Sequence, residues 1–148
     1  MHANVNASNL NADPPRPQPP QSTEYSLSRS GGQARVVFSR SPDPSHTLQA
    51  FDIIEPLMKT LVYAMARAHQ SSLEPFQFSG SGAIFRMYYP ARAEEKLTWT
   101  MVSQIVEWLV LYTHNYAAAN TEIHVYRVDS HEESGKKMIA QGYLHTRH

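Results

Sequence analysis

The chain contains no cysteine. That excludes a disulfide framework, thiolate metal ligands and a cysteine nucleophile, and it fits a reducing compartment. No apolar run approaches the ~20 residues that a membrane-crossing helix needs. The start, Met1 to Leu10, has neither the basic flank and apolar block of a secretion signal nor the arginines of a mitochondrial address. The expectation is a cytoplasmic or nuclear protein without a membrane partner. A surplus of charge is missing too, since 13 Lys and Arg balance 13 Asp and Glu. The basic side chains are scattered, with Lys136-Lys137 the one adjacent pair. Counterion release therefore offers little drive for binding nucleic acid, and no such partner is expected. Balanced charge also leaves little self-repulsion, which permits self-association near neutral pH. Nucleotide and hydrolase signatures are absent: there is no Walker lysine, no HExxH and no GxSxG. Gly80-Ser81-Gly82 joins two strand patterns, with no helix start behind it to hold a phosphate. No motif calls for a cofactor or a metal.

What is present divides into two parts. Residues 1–24 are rich in Asn, Ala, Pro and Gln, and Pro14, Pro15, Pro17, Pro19 and Pro20 fall within seven positions. Such a segment buries too little apolar surface to offset its ordering entropy, so it reads as a disordered tail. Arg16 with Pro17-Gln18-Pro19-Pro20 has the makings of an SH3 or WW ligand, with a solubilising tail as the plain alternative. Residues 25–148 read as a single α+β domain, long enough for one core without staples.

The domain patterns as hairpin, helix, hairpin, helix, hairpin. Tyr25 to Arg29 and Ala34 to Ser39 alternate around the turn residues Ser30 to Gln33. A first helix follows, capped by Ser45 or Thr47 and reaching about Gln70. Its stripe is Leu48, Phe51, Ile54, Met58, Leu61, Met65 and Ala68, with a kink at Pro56. Phe76 to Phe78 and Ala83 to Tyr89 form a second hairpin around Ser79 to Gly82. Thr98 caps a second helix to about Tyr116, with Leu97 and Val102 as its staple. Its buried stripe is Val102, Ile105, Val106, Leu109, Tyr112 and Tyr116. Thr121 to Val128 and Lys137 to Thr146 close the chain as a third hairpin. The expected architecture is an antiparallel sheet of three hairpin-like segments with two long helices packed on one face.

The candidate site lies on the other face of that sheet. Of the eight histidines, His2 and His148 sit at the ends, and His46 and His131 sit in loops. His69 and His114 occupy last helical turns, where the dipole favours a cation. His124 and His145 fall on the last two strands. With Ile123, Val125, Met138, Ala140 and Leu144 facing the helices, the opposite face carries Glu122, His124, Tyr126, Ile139, Gln141, Tyr143 and His145. Arg86 and Tyr88 join them from the second hairpin. Arg86, Tyr88, His124, Tyr126, Tyr143 and His145 are the expected binding face; His124, His145 and Glu122 have the side chains for acid–base chemistry or for holding zinc. A one-residue slip in register would reverse every one of these assignments.

Leu97-Thr98-Trp99 opening a helix, Glu122-Ile123-His124-Val125 on a strand and a last strand containing Gly142 give a layout that resembles small fungal α+β proteins over roughly residues 34 to 145. The resemblance implies the arrangement of elements and no catalytic residue. The layout is also similar to the ferredoxin-like dimeric α+β barrels, which implies that an exposed sheet face becomes a dimer core or an enclosed pocket. The leading expectation is a protein-interaction or self-association module, as a homodimer or with a protein partner, using the helix-free sheet face. The alternatives are a small cofactor-free enzyme with a histidine base in a pocket on that face, and a secreted host-directed protein whose leader precedes Met1.

Overall fold

A computed structural model describes residues 16–29, 32–40, 47–68, 70, 74–91, 95–128 and 136–147. The elements are β1 (Ser22–Arg29), β2 (Gly32–Arg40), α1 (Ala50–Met65), β3 (Phe76–Ser79), β4 (Ala83–Tyr88), α2 (Trp99–Asn115), β5 (Thr121–Val128) and β6 (Lys136–Thr146). The strands form a six-stranded sheet in the order β1-β2-β5-β6-β4-β3, and every neighbouring pair is antiparallel. The expected α+β architecture is therefore the one observed. Each of the first two hairpins occupies one edge, and the last hairpin inserts between them. From either edge, two strands of a hairpin are followed by one strand of β5-β6.

Alternation along the strands aims one face at the helices. Val36, Phe38, Phe85, Ile123, Val125, Ala140 and Leu144 are fully buried there. α2 supplies the other half of the core through Val102, Ile105, Val106, Leu109 and Tyr112. Its start is as expected: Thr98 Oγ1 accepts a hydrogen bond from the Met101 amide at 3.2 Å, and Leu97 is buried beside it. At the other end Tyr116 is half-buried. Trp108 stacks on Tyr25 with centroids 4.6 Å apart and donates its indole N–H to the Ser26 carbonyl at 2.9 Å. These contacts bind α2 to the β1 edge.

α1 departs from expectation in its rotation. The helix buries Ile53, Pro56, Leu57, Thr60 and Ala64, while Phe51, Ile54, Met58 and Met65 of the expected core stripe face solvent. α1 is apolar on two opposite sides, and both sides repeat at helical spacing, so periodicity could not choose between them. Packing makes the choice, against α2 and β4 and against the β3–β4 turn. A methyl group at Gly80 would lie 2.8 Å from Pro56 Cδ, and one at Gly82 would lie 2.9 Å from Asp52 Cα. The turn lies flush on α1, and the Ser81 amide donates to Glu55 Oε2 at 3.1 Å. Pro56 lies inside α1 and is buried. The N-cap is Gln49, without a side-chain cap bond; Thr47 does not serve, and Ser45 lies outside the described residues. α1 ends at Met65 rather than near Gln70, because the next residues turn to meet α2. The carbonyls of Ala68 and Gln70 accept from the amides of Thr100 and Trp99.

β6 holds a second correction. The β5–β6 register shifts between Val125, opposite Ala140, and Tyr126, opposite Met138. Ile139 is the extra residue of this bulge, and it is buried beside Ala140 instead of facing outward. Met138 correspondingly shares the face of Tyr126 and not that of the core.

The folded part also begins earlier than residue 25. β1 starts at Ser22, Pro19 is buried, and the Pro17 carbonyl accepts from the Ala117 amide at 2.8 Å. Arg16 donates to the carbonyls of Thr113 and Leu48. Pro17-Gln18-Pro19-Pro20 is thus docked on its own domain, which sets it apart from a free SH3 or WW ligand. The expected disorder of residues 1–15 lies outside the described residues. So do the turn at 30–31, His46, His69 and the loop containing His131.

Candidate functional site

Two surfaces carry chemistry or exposed apolar area. The first is the helix-free sheet face, where β4, β6 and β5 lie side by side. One cross-strand row reads Tyr88, Gln141, His124; the next reads Arg86, Tyr143, Glu122; Ile84 and His145 follow. Tyr88, Glu122, His124, Gln141, Tyr143 and His145 line a cavity of about 200 Å³. Five of the seven expected site residues are therefore brought together. Arg86 and Tyr126 are not in the wall. Arg86 is exposed, donating to Tyr143 Oη at 3.4 Å and lying over the Tyr88 ring. Tyr126 is one row away, opposite Met138 and Arg35.

Tyr143 and His145 stack with centroids 4.0 Å apart. Burial pushes the His145 imidazole below its ordinary pKa, against a smaller upward pull from the Glu122 carboxylate. A neutral imidazole can accept a proton or offer one N–H and one lone pair. Among the described residues no group of three or more His, Cys, Asp or Glu side chains is placed to hold a metal ion. His124, His145 and Glu122 thus make a polar, hydrogen-bonding wall.

The second surface was not anticipated as a site. Among the described residues, every exposed large apolar side chain belongs to α1 or α2, and none lies on the sheet face. The outer side of α1 exposes Phe51 (83%), Ile54 (59%), Met58 (50%), Val62 (64%) and Met65 (69%), with Val110 (51%) beside them on α2. Between the helices runs an apolar groove of about 520 Å³. Buried Ile53, Leu57 and Val106 and exposed Ile54, Met58 and Val110 line it, with Glu107 and His114. Arg16 stands within the lining, held by the two carbonyls already named. The signal for this surface was in the sequence, because α1 carries more large apolar residues than one buried face can use.

Each of these six residues keeps half or more of its surface in water, and a contiguous exposed apolar patch on a monomer marks an interaction site. Among the described residues no helix is long and apolar enough to cross a membrane. Comparison with protein-family models, with curated proteins and with solved structures finds no match for this chain.

Proposed function

We propose that this protein is an interaction module whose contact surface is the outer side of α1 together with the groove it shares with α2. The observation that carries this reading is the cluster of exposed apolar side chains Phe51, Ile54, Met58, Val62, Met65 and Val110. Water solvates such a surface poorly, and its burial against a protein is the main source of favourable association free energy. The open sheet face is the weaker candidate, because its aromatic rings are half-buried against one another and interleaved with His, Gln, Glu and Arg.

Charge substitution separates the two faces. Met58→Glu places a carboxylate in the middle of the helical patch, and Tyr143→Glu does the same on the sheet. Sedimentation velocity over a wide concentration range, with solubility limits, should show Met58→Glu altering association or solubility while Tyr143→Glu resembles the parent. The reverse pattern would move the contact to the sheet face, and no change in either variant would remove the proposal.

A second reading rests on the His145 cavity. The stacked Tyr143–His145 pair, Glu122 and His124 surround enough space for a small polar ligand, with His145 as its proton acceptor. Histidine NMR titrations test it. Saturable shifts of His124 and His145 with one small-molecule class, abolished in His145→Asn, would support a ligand site there. Flat titrations across a broad small-molecule panel would leave the face an ordinary wetted sheet.

A further inference from the structure

The exposed residues of α1 have a spacing that names their partner, and the argument rests on the interaction reading above. Apart from Tyr63, which packs against Phe78 and Trp99 on another side of the helix, the large apolar residues that α1 exposes are Phe51, Ile54, Met58, Val62 and Met65, at steps of three, four, four and three. That series is the same from either end, with Met58 at its centre. Leu61, which would have broken the symmetry, is half-buried and turns into the groove beside α2.

A closed homodimer contact is isologous: if residue i meets residue j, then j meets i. Two copies of α1 laid antiparallel about a two-fold axis at Met58 meet this condition. Phe51 comes level with Met65 of the second copy, Ile54 comes level with Val62, and Met58 meets itself. The charged flank obeys the same symmetry. Glu55 and Lys59 lie four residues apart and pair at 3.1 Å within one helix. Reversal of the helix brings Glu55 of one copy within about 3 Å, along the axis, of Lys59 of the other, at ~1.5 Å of rise per residue. Each Glu55 then faces Lys59 of the other copy, with both pairs on the same flank of the seam. A foreign partner would require no such palindrome. The chain also has zero net charge to oppose assembly.

We infer that the partner is a second copy of this chain, docked α1 against α1 in antiparallel order with the two-fold axis at Met58. The assembly has four layers, sheet, helices, helices, sheet, and both histidine-bearing sheet faces point outward and remain open.

The absence of cysteine in the chain makes the geometry directly readable. Single variants Met58→Cys, Phe51→Cys and Met65→Cys sit on exposed positions and should fold like the parent, which circular dichroism checks. Under mild oxidation Met58→Cys should form a disulfide-linked dimer. Phe51→Cys alone should not, because its two copies would be about 21 Å apart along the axis, against the ~4.4–6.8 Å between Cα atoms that a disulfide needs. An equal mixture of Phe51→Cys and Met65→Cys should give the mixed dimer. If the parent sediments as a dimer that Met58→Glu dissociates, yet Phe51→Cys links to itself and not to Met65→Cys, the antiparallel geometry is wrong while the interaction surface stands. A parent that stays monomeric at all concentrations, with Met58→Glu still raising its solubility limit, would overturn the second copy as partner and leave the surface for another protein. A monomeric parent that Met58→Glu leaves unchanged would end both readings.

Discussion

Gly142 offers the sharpest test of how the sheet is built. It stands on β6 between Ile123 of β5 and Met87 of β4, in the middle of the sheet and on the side of the core. A methyl group at this position would lie 2.6 Å from Met87 Sδ and would collide with the Arg86 carbonyl oxygen. The methionine sulfur can swing away, but the carbonyl belongs to the β4 backbone and can yield only if β4 and β6 separate. Overpacking a core by one methyl group typically costs about 1–3 kcal/mol, and a backbone obstacle places Gly142→Ala at the upper end of that range. For a domain of this size the loss is a fall of about 6–12 °C in thermal midpoint, followed by near-ultraviolet circular dichroism of the buried aromatics. The double variant Gly142→Ala with Met87→Ala separates the two obstacles. Measured against Met87→Ala alone, which removes a buried side chain in its own right, it should still be destabilised, since the contact with the Arg86 carbonyl survives. A midpoint within 2 °C of the parent for Gly142→Ala, with two-state melting retained, would refute the close approach of β4 and β6. The walls of the His145 cavity come from the same three strands, so cross-peak shifts at His145 and Tyr143 should accompany the loss of stability.

Leu109→Ala removes a fully buried side chain from the centre of the α2 stripe and should cost about 2–5 kcal/mol in urea denaturation. A loss under about 0.5 kcal/mol would place Leu109 at the surface. Tyr112 is buried in the core, and its hydroxyl has no hydrogen-bond partner among the described residues. Tyr112→Phe should therefore be neutral or stabilising by up to about 1 kcal/mol, and a loss of that size instead would mean that the hydroxyl is bonded. Burial, with the nearby Tyr25 and Tyr116, pushes the Tyr112 phenol from 10.0 up to about 12. The unfolded chain releases this proton first, so parent stability should fall as pH rises from 10 to 12. Tyr112→Phe should lack that portion of the alkaline loss when urea midpoints at pH 9 and 11 are compared. Deletion of residues 1–22 should lower the thermal midpoint by several degrees, because it removes the Arg16 bonds, the Pro17 carbonyl and buried Pro19. An unchanged midpoint would show that this strap contributes nothing to stability.

The elements themselves were legible because each had a local cause. Thr98 announced the start of α2 through its own side chain, and the stripe from Val102 to Tyr112 recurs at helical spacing on the side that α2 buries. β5 was readable to both ends, since Ile123 and Val125 alternate with Glu122 and His124. The grouping of His124, His145, Tyr143, Tyr88 and Glu122 also followed from alternation, as β4, β5 and β6 are neighbours. Ile139 and Met138 were misplaced because a bulge adds one residue to β6, and no residue type marks it.

Sequence by itself determined that the chain folds as three hairpins and two helices around one core, without disulfides and without a charge surplus. Period-two and period-3.6 patterns are local, and they express which side of each segment avoids water. Which of two apolar sides α1 turns inward was a tertiary decision. Both sides satisfy the helical period, and the rotation is set by packing against α2, β4 and the β3–β4 turn, whose glycines lie against Asp52, Glu55 and Pro56. The same packing leaves Phe51, Ile54, Met58, Val62 and Met65 in water. The surface available for association therefore arises from packing on the opposite side of the helix that carries it.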